Sequence, residues 1–448
     1  MTRLFGTDGI RGRTNVFPMD CETALRVGRA AGLLARDMGQ DRIVIGKDTR
    51  ISGDMLEAAL AAGAASVGVS AGLAGVIPTP GVAYLAACLK GVGAGVMISA
   101  SHNPFYDNGI KIFQRGGLKL TDEQEQALEA NICDPENVPR NNVGKISIIS
   151  DGYERYVRFL LDKFPFRKLS PRIRLVVDAS NGAASEICHQ VFNDQLFDAV
   201  FIHDRPDGFN INRDCGSQHV SDLQKQVKAR KADIGLAFDG DADRMIAVDE
   251  TGEVITGDRI LAICARQAKE KKQLKNNCVV STVMSNIGLT RALDELGIRH
   301  VRTGVGDRRV LAEMQRSGAV MGGEDSGHMI FLEDHTTGDG MLSALRLITV
   351  MAETGRSLSN LAAVMKVFPQ VLKNVEVDAS RPDVMQVPEI ARVIEDVTSR
   401  LGDKGRVLVR YSGTQPLLRV MVEGPEKEMT QAACDQICQV IHDHNKAS

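Results

Sequence analysis

The sequence predicts an α/β protein with three similar domains, each built on a βαβ-type mixed sheet, and a smaller α+β domain at the C-terminus. Two observations support this fold class. Short apolar runs alternate with helical segments, which indicates βαβ architecture. A strand, a polar loop and a helix also recur three times, as in an internal repeat. The length of 448 residues agrees, because domains usually contain about 100–200 residues.

Each repeat begins with an apolar strand and contains a second strand further along the chain. The first strands are predicted at residues 43–46, 175–177 and 279–283. Each second strand precedes a polar loop, and these strands are predicted at residues 96–98, 234–238 and 319–321. Because ligands of open α/β sheets bind beyond the carboxyl ends of the strands, we expect the polar loops to carry the chemistry.

The predicted domain boundaries follow the repeats. The four domains are expected at residues 1–152, 153–254, 255–367 and 368–448. A helix at residues 153–164 is predicted to join the first two domains. The last domain should contain three strands and a final helix, at residues 371–377, 407–410, 418–422 and 426–442.

Composition excludes several classes of function. The chain has 54 basic and 57 acidic residues, no Trp and 4% aromatic residues, which argues against a nucleic-acid partner. It contains no apolar run of about 18 residues and no signal-peptide core at the N-terminus, so we expect a cytoplasmic protein with no membrane contact. Nine Cys without a CxxC pair argue against a disulfide framework or a zinc site. A small anionic substrate remains compatible with this composition.

An acidic loop contains Asp239, Asp241 and Asp243. The three carboxylates converge if the backbone stays extended, because alternate side chains share a face. A hard divalent cation would relieve their repulsion, and oxygen ligands suit Mg²⁺ or Ca²⁺. An EF-hand is the first alternative, but Arg244 stands where the turn needs Gly, and the flanking segments read as strands. A solvated acidic loop is the second alternative.

Ser101 lies in the segment ISASHNP, directly after an apolar strand. A serine on such a turn can act as a nucleophile, although a helix cap or a turn is its commoner role. The chain has no GxSxG elbow at this position, which disfavours a serine hydrolase. Together with an acidic metal loop, Ser101 fits phosphoryl transfer, because a metal ion neutralises charge on the transferring phosphate.

The segment GGEDSGH forms a third polar loop. Its glycines allow close approach to a ligand, and Glu324, Ser326 and His328 offer donors and acceptors for sugar hydroxyls. His328 is a candidate proton carrier near neutral pH. The alternative for His328 is a structural histidine.

A fourth loop, RYSGTQP, combines arginines, hydroxyls and a glycine turn. Arg forks and successive backbone N–H groups both bind phosphate oxygens. The predicted phosphate cradle consists of Arg410, Ser412, Gly413, Thr414 and Arg419. A surface turn is the alternative.

Two further cations belong to glycine-containing segments. Arg11 lies in FGTDGIRG and can meet an anion, whereas Lys111 follows the serine loop in NGIK. Lys111 can supply positive charge to a phosphate or act as an acid or base after a pKa shift. A solvated lysine is the alternative.

Taken together and in this order, the segments resemble the α-D-phosphohexomutase family over essentially the whole chain. ISASHNP resembles the family's phosphoserine loop, DGDADR its metal loop, GGEDSGH its sugar-specificity loop and RYSGTQP its phosphate-binding loop. The resemblance implies a phosphate on Ser101 and one Mg²⁺ held by that group with Asp239, Asp241 and Asp243, beside Arg244. It also implies four domains around a central cleft.

Further segments favour the branch of the family that acts on glucosamine phosphate, namely FGTDGIRG, PDGFNIN, MSNIG and RVMVEG. The implied reaction converts glucosamine 6-phosphate to glucosamine 1-phosphate through a 1,6-bisphosphate, on the route to UDP-N-acetylglucosamine and the cell envelope. Two positions depart from the pattern: Asp325 replaces an amide, and Gln415 replaces a Glu. Asp325 is predicted either to pair with the 2-ammonium group of the sugar or only to shape its loop.

The resemblance also implies roles for the remaining cations. Lys111, Arg11 and His328 are the candidates for charge stabilisation and proton transfer. A hexose 1,6-bisphosphate is the implied activator, and a homodimer is the implied assembly. Three alternatives remain: a mutase for glucose or mannose phosphates, a metal-dependent phosphatase, and a calcium- or sugar-phosphate-binding protein without activity.

Overall fold

The structure is a computed structural model that describes residues 4–6, 8–133, 142–377, 384–411 and 417–447. The chain divides into two units. The larger unit comprises Met1–Met284 and Ile298–Val364, and the smaller unit comprises Ser285–Gly297 and Met365–Ser448. Within the described ranges, no helix has both the length and the apolar character needed to cross a membrane.

The first sheet of the larger unit has six strands: β1 (Ile10–Arg13), β2 (Arg42–Lys47), β3 (Ser70–Val76), β4 (Val92–Ile98), β5 (Asp107–Gln114) and β6 (Ile146–Ile148). Their order is β1-β5-β4-β2-β3-β6. Strand β4 is buried along its whole length, as is typical of a central strand covered by helices. The helices here are α1 (Cys21–Asp37), α2 (Gly53–Ser66), α3 (Thr79–Cys88) and α4 (Asp122–Cys133).

The second sheet has five strands: β7 (Ile173–Asp178), β8 (Phe197–Ile202), β9 (Ile234–Phe238), β10 (Met245–Asp249) and β11 (Val254–Ile255). Their order is β11-β10-β9-β7-β8. The associated helices are α5 (Gly152–Lys163), α6 (Ala184–Val191) and α7 (Ser221–Arg230). Helix α5 occupies the segment in which the sequence predicts a joining helix.

The third sheet has four strands: β12 (Cys278–Thr282), β13 (Arg299–Thr303), β14 (Met321–Gly323) and β15 (Met329–Phe331). Their order is β13-β12-β14-β15. The chain from β11 to the end of this region contains helices α8 (Gly257–Glu270), α9 (Ile287–Glu295), α10 (Asp307–Ser317), α11 (Gly340–Thr354) and α12 (Leu358–Ala362). Of these, α9 belongs to the smaller unit.

The three sheets share a core of four strands with the same order and directions. The cores are β3-β2-β4-β5, β8-β7-β9-β10 and β13-β12-β14-β15. In each core the first three strands are parallel and the last one is antiparallel. This repeat confirms the prediction of three similar α/β domains with mixed sheets. The connection to the antiparallel strand carries the serine loop, the acidic loop and the GGEDSGH loop, respectively.

The smaller unit contains an antiparallel sheet of three strands: β16 (Gln370–Glu376), β17 (Arg406–Tyr411) and β18 (Leu417–Glu423). Their order is β16-β18-β17. Helices α13 (Pro388–Leu401) and α14 (Lys427–Ala447) pack their apolar residues on this sheet. The α+β class agrees with the sequence-based prediction, which however contained no helix at the position of α13.

Candidate functional site

Ser101 lies in the connection between β4 and β5 and is fully buried. Its backbone has φ of 54°, a left-handed conformation that is uncommon for residues other than Gly. Its Oγ donates a hydrogen bond to Asp239 Oδ2 at 2.5 Å. Its backbone N–H donates to Ser99 Oγ at 2.9 Å. The hydroxyl is therefore held against the acidic loop of the second domain.

The acidic loop joins β9 to β10 and brings its three carboxylates together. One ligand oxygen from each of Asp239, Asp241 and Asp243 lies within 4.8 Å of the others. Contrary to the expectation from the sequence, the loop backbone is not extended: Ala242 N donates to Asp239 O at 3.0 Å, and Ala242 has φ of 53°. A tight turn therefore produces the convergence. The flanking strands leave no place for the paired helices of an EF-hand.

The donor set of this loop fits a divalent cation. Asp241 Oδ1 and Asp243 Oδ1 are buried and have no hydrogen-bond partner within the part of the chain that the structure describes, although buried polar atoms are normally satisfied. Burial raises the pKa of Asp239 well above its usual value, and the neighbouring carboxylates of Asp243 and Asp241 raise it further. A donor set made only of oxygen atoms is what Mg²⁺ and Ca²⁺ sites share.

Lys111, on β5, lies among the carboxylates. Its Nζ is 2.7 Å from Asp241 Oδ2, 3.0 Å from Asp243 Oδ2 and 3.1 Å from Asp8 Oδ2. Burial opposes its charge, but Asp241 and Asp243 hold the pKa of Lys111 well above its usual value. Lys111 is therefore a fixed positive charge, and the alternative of a solvated lysine does not apply.

His328 lies in the connection between β14 and β15 and is buried. Its Nδ1 is 3.6 Å from Asp243 Oδ1, and its Nε2 is 3.4 Å from Asp307 Oδ2. Gly338 packs against the imidazole, and a Cβ at that position would lie 2.3 Å from Nε2. His328 thus links the acidic loop to Asp307. It borders the cluster of Ser101, Asp239, Asp241 and Asp243, called the centre below.

Two arginines border this centre. Arg244 Nε lies 3.7 Å from Asp243 Oδ1 and is buried, with no hydrogen-bond partner in the described ranges. Its Nη1 lies 3.3 Å from His102 Nδ1. Arg11, on β1, donates from Nη2 to Asp8 Oδ2 at 2.9 Å. Arg244 therefore lies where it can meet an anion near Ser101, whereas Arg11 lies beside Asp8.

The GGEDSGH loop places its polar residues on a turn after β14. Glu324 Oε1 accepts a hydrogen bond from Gly306 N at 3.1 Å. The main-chain oxygen of Asp325 accepts from Gly257 N at 3.0 Å, at the start of α8. Ser326 Oγ is buried and bonds none of the residues that the structure describes. Ser326 therefore has an unused hydroxyl, whereas Asp325 takes part in shaping the loop.

Arg410 and Arg419 face each other in the smaller unit, on β17 and β18. Both Nε atoms are buried without a hydrogen-bond partner among the described residues. Burial lowers the pKa of Arg410, and the neighbouring Arg419 lowers it further. Two facing guanidinium groups repel each other, so this pair is suited to an anion. The remaining predicted cradle residues, Ser412, Gly413 and Thr414, lie outside the described residues.

Sequence reasoning missed three charged residues next to the centre: Asp8, Lys119 and Asp307. Lys119 Nζ is 2.5 Å from Asp8 Oδ1 and forms a second ion pair with Asp307. Burial opposes the charge of Asp8, but Lys111 and Lys119 hold its pKa well below the usual value. Together with Lys111, Asp243 and His328, these residues form a closed ring in which acidic and basic side chains alternate. Of the three, only Asp8 could have been recognised from the sequence, because it lies in the glycine-containing segment FGTDGIRG close to Arg11.

The chain belongs to the phosphoglucomutase/phosphomannomutase family. Its alpha/beta/alpha domains I, II and III match residues 2–138, 154–252 and 256–368, and its C-terminal domain matches residues 350–440. This membership confirms the resemblance drawn from the motifs.

Within the family, the chain is similar to phosphoglucosamine mutases. It is 57% identical to that of Desulforapulum autotrophicum, over 98% of this chain and 99% of the relative. It is 51% identical to that of Syntrophobacter fumaroxidans, with the same coverage. These similarities confirm the predicted glucosamine branch.

Solved structures show the same fold. A phosphoglucomutase/phosphomannomutase family protein from Burkholderia thailandensis has a TM-score of 0.82 at 25% identity, over 98% of this chain and 97% of the other. The Aspergillus fumigatus N-acetylphosphoglucosamine mutase, solved with GlcNAc-6P and magnesium, has a TM-score of 0.68 at 19% identity, over 99% and 96%. The fungal likeness concerns the fold alone.

Proposed function

We propose that this protein converts glucosamine 6-phosphate to glucosamine 1-phosphate through a phosphoserine at Ser101. The observation that carries the proposal is the buried Ser101 hydroxyl, which donates to Asp239 at 2.5 Å within a cluster of three carboxylates. A hydroxyl in this setting suits phosphoryl transfer, which depends on positioning and charge stabilisation more than on covalent chemistry. Relatives that share half or more of the sequence support glucosamine phosphate as the substrate.

Asp239, Asp241 and Asp243 would hold one Mg²⁺, together with an oxygen on Ser101. The two unpartnered carboxylate oxygens at Asp241 and Asp243 support this assignment. When bound, the ion would neutralise charge on the phosphoryl group that is being transferred.

The chain's own residues supply the remaining parts of the first transfer. The 1-hydroxyl oxygen of the sugar forms a bond to phosphorus while the bond from phosphorus to Ser101 Oγ breaks. One proton moves overall from the sugar hydroxyl to Ser101 Oγ, and His328 is our candidate for relaying it. Lys111 is occupied by three carboxylates, so we assign it to charge stabilisation, together with Arg11. The product of this step is the 1,6-bisphosphate.

A second transfer completes the reaction after the bisphosphate turns over in the site. The 6-phosphate then returns to Ser101, which restores the phosphoserine and leaves glucosamine 1-phosphate. The phosphate that is not reacting would bind Arg410 and Arg419 with Ser412, Gly413 and Thr414. Arg244, Glu324, Asp325 and Ser326 would contact the sugar or its phosphate. A trace of hexose 1,6-bisphosphate would prime the unphosphorylated enzyme.

We further propose where the enzyme acts, which synthesis uses its product and how it assembles. Its product would feed UDP-N-acetylglucosamine synthesis in the cytoplasm, and the active form would be a homodimer. The division into four domains at residues 1–152, 153–254, 255–367 and 368–448 is part of the same proposal. Size-exclusion chromatography with light scattering tests the dimer.

Phosphorus NMR tests the reaction. Purified protein with Mg²⁺ and a trace of hexose 1,6-bisphosphate would be given glucosamine 6-phosphate, glucose 6-phosphate or mannose 6-phosphate in parallel. We expect a sugar 1-phosphate signal that grows fastest from the glucosamine sample. Faster conversion of glucose or mannose phosphate would move the protein to the sister activity. Release of inorganic phosphate alone would mean that water is the acceptor.

A matched arm of this experiment tests Asp325. If the carboxylate pairs with the 2-ammonium group, Asp325→Met should reduce the preference for glucosamine over glucose phosphate by about tenfold, as expected for one charge-assisted contact. An unchanged preference would leave Asp325 with its loop contacts alone.

A further inference from the structure

The carbonyl oxygen of Ser101 accepts hydrogen bonds from two side chains that belong to different domains. Arg50, which follows β2, donates from Nη2 at 3.0 Å. Asn212, which lies between β8 and α7, donates from Nδ2 at 2.8 Å. The same two nitrogen atoms also donate to Asn103 O, at 2.8 and 3.0 Å. The two side chains thus bind two main-chain carbonyl groups of the serine loop, those of Ser101 and Asn103.

Arg50 is fixed by further buried contacts. Its side chain and that of Asp48 are fully buried, and Arg50 Nε lies 2.9 Å from Asp48 Oδ2. Asp48 Oδ2 also accepts from Ser99 Oγ at 2.6 Å, and Ser99 Oγ in turn accepts from the backbone N–H of Ser101. Arg50 therefore reaches Ser101 from both sides of the residue, directly at its carbonyl and through Asp48 and Ser99 at its N–H.

Asn212 is presented by a segment that is anchored on the second sheet. Asn212 N donates to Ser180 O at 2.9 Å. Asp178, at the end of β7, accepts from Gly216 N at 2.9 Å and lies 3.1 Å from His203 Nδ1. These contacts fix the backbone of the segment, and the two hydrogen bonds from Nδ2 hold the side chain of Asn212 on the serine loop.

The chain segment that carries Arg50 is also hydrogen-bonded to the second domain, which carries Asn212. Ile51 N donates to Gly208 O at 3.0 Å, and Thr49 Oγ1 donates to Asn181 O at 2.5 Å. Gly240 of the acidic loop closes the remaining side, because a Cβ there would lie 2.5 Å from Ser101 O. Three chain segments from two domains therefore converge on one carbonyl oxygen.

We propose that Arg50 and Asn212 are positioning residues that clamp the Ser101 carbonyl and so keep Oγ aimed at the acidic loop. The clamp holds Ser101 in its left-handed conformation, from which the hydroxyl reaches Asp239. Neither side chain contacts the reacting atoms, so both act through the serine backbone. This inference rests on the proposed function, for which Ser101 carries the phosphoryl group.

Asn212 permits a clean test because its own φ is 58°, which Asp and Gly both tolerate. Asn212→Asp replaces the amide donor by an acceptor that faces two carbonyl oxygens. Asn212→Gly removes the donor and keeps the backbone conformation. Asn210→Asp is the matched control, because Asn210 lies in the same segment and its side chain, among the described residues, bonds only Arg205 O and Asp207 N. Arg50→Lys tests the second arm.

The measurements are kcat and KM for glucosamine 6-phosphate, the rate of Ser101 phosphorylation by hexose 1,6-bisphosphate, and the share of phosphoryl groups lost to water. Because small misplacements of a reacting group can cost up to about 100-fold in rate, we expect both Asn212 variants and Arg50→Lys to lose at least about tenfold in kcat. Their KM should stay within about threefold, and the share lost to water should rise, since the substrate-binding groups are intact while the phosphate is misaligned. Asn210→Asp should stay within about twofold of wild type in all three.

The outcomes separate the two proposals. A wild-type protein that phosphorylates Ser101 but converts no glucosamine phosphate contradicts the proposed function, and the phosphorylation rates then still test the clamp. Normal kcat and normal loss to water in both Asn212 variants would overturn the clamp. A lower melting temperature with an unchanged kcat and an unchanged share of phosphoryl groups lost to water would mean that Asn212 contributes only to stability. That result would also overturn the clamp.

Discussion

At the scale of single residues, Ser101 combines the proposed reactive hydroxyl with an unfavourable backbone conformation. Its φ of 54° lies in the left-handed region, which costs an L-residue about 1–2 kcal/mol. Strained residues of this kind cluster at functional sites because the surrounding structure holds them in place. Here the surrounding structure is the set of hydrogen bonds to the Ser101 carbonyl and N–H groups.

Two substitutions of Ser101 separate reaction from strain. Ser101→Ala and Ser101→Gly both remove the hydroxyl, so both should reduce turnover to background. Gly adopts positive φ without a penalty, so Ser101→Gly should be about 1 kcal/mol more stable than Ser101→Ala. Urea unfolding and the phosphorus NMR assay measure the two effects. Near-normal turnover in either variant would contradict the serine mechanism.

If the three carboxylates of the acidic loop hold a divalent cation, as we propose, that cation should raise the stability of the protein. In EDTA, Asp239→Asn should be at least as stable as wild type, because it removes one of three repelling charges. Mg²⁺ at about 100 times its Kd should stabilise wild type by about 2.7 kcal/mol, as mass action requires. The variant should gain much less. Thermal unfolding with EDTA and with Mg²⁺ measures this, and equal gains in both proteins would exclude a metal site at Asp239.

The sequence predicted the residues whose chemical type stands out over a short segment. Asp239, Asp241 and Asp243 are recognisable because three acids two residues apart need a cation or solvent. Lys119 and Asp307 are not, because their pairing joins positions 188 residues apart. The turn at Ala242 was also missed, since no local rule predicts positive φ for an alanine.

At the scale of secondary-structure elements, strands β17 and β18 place two arginines side by side. Arg406, on the same strand as Arg410, contacts the carboxylate of Glu423. Arg410 and Arg419 instead face each other, and neither Nε atom has a hydrogen-bond partner among the residues described. Like charges directly opposite on an antiparallel pair are destabilising, so this arrangement favours a bound anion.

Arg419→Gln should therefore weaken phosphate binding without harming the sheet. A charge-assisted hydrogen bond contributes about 1.5–3 kcal/mol, so KM for glucosamine 6-phosphate should rise by roughly 10- to 100-fold. Removing one of the two facing charges should leave stability within about 0.5 kcal/mol. Arg400→Gln, on the exposed face of α13, is the control and should leave KM unchanged. An unaltered KM in Arg419→Gln would remove this pair from the proposed cradle.

The connection after β15 contains a buried histidine, His335, that ties it to α3. Its Nε2 lies 3.0 Å from Pro80 O, and its Nδ1 accepts from Thr336 N at 2.8 Å. This pattern requires the neutral ring with its proton on Nε2. Burial lowers the pKa of His335 to about 4, although the Pro80 carbonyl partly opposes the shift.

This shift predicts a loss of stability in acid. The unfolded chain binds the proton below about pH 6.5 and the folded chain only near pH 4, so stability falls as pH decreases between these values. The expected loss is about 3 kcal/mol. His335→Gln keeps a donor but does not titrate, so the difference in unfolding free energy between wild type and variant should change by this amount from pH 7 to pH 4. A constant difference would contradict the neutral, buried histidine.

At the scale of the whole molecule, the repeated four-strand core explains why fold class was predictable. In each core a polar loop lies at the same position, between the third strand and the antiparallel fourth strand, and the three loops differ in sequence. The alternation of strands and helices is local and therefore readable from sequence. The membership of a segment in a unit is not local: Ser285–Gly297 lies between strands of the third sheet in sequence but belongs to the smaller unit.

Asn286 explains why Ser285–Gly297 belongs to the smaller unit. Its side chain accepts from Gly288 N at 3.0 Å, which caps α9, and it exchanges hydrogen bonds with Phe368 at 2.9 and 3.1 Å. Asn286→Ala would remove the cap and leave buried main-chain groups of Phe368 unpaired, so the smaller unit should lose about 2–3 kcal/mol. Exposed Asn360→Ala should lose less than about 0.5 kcal/mol. Hydrogen exchange of β16 and β18 measures the effect, because their amides report opening of the smaller unit. Unchanged protection there would mean that Ser285–Gly297 adds no stability to the C-terminal sheet.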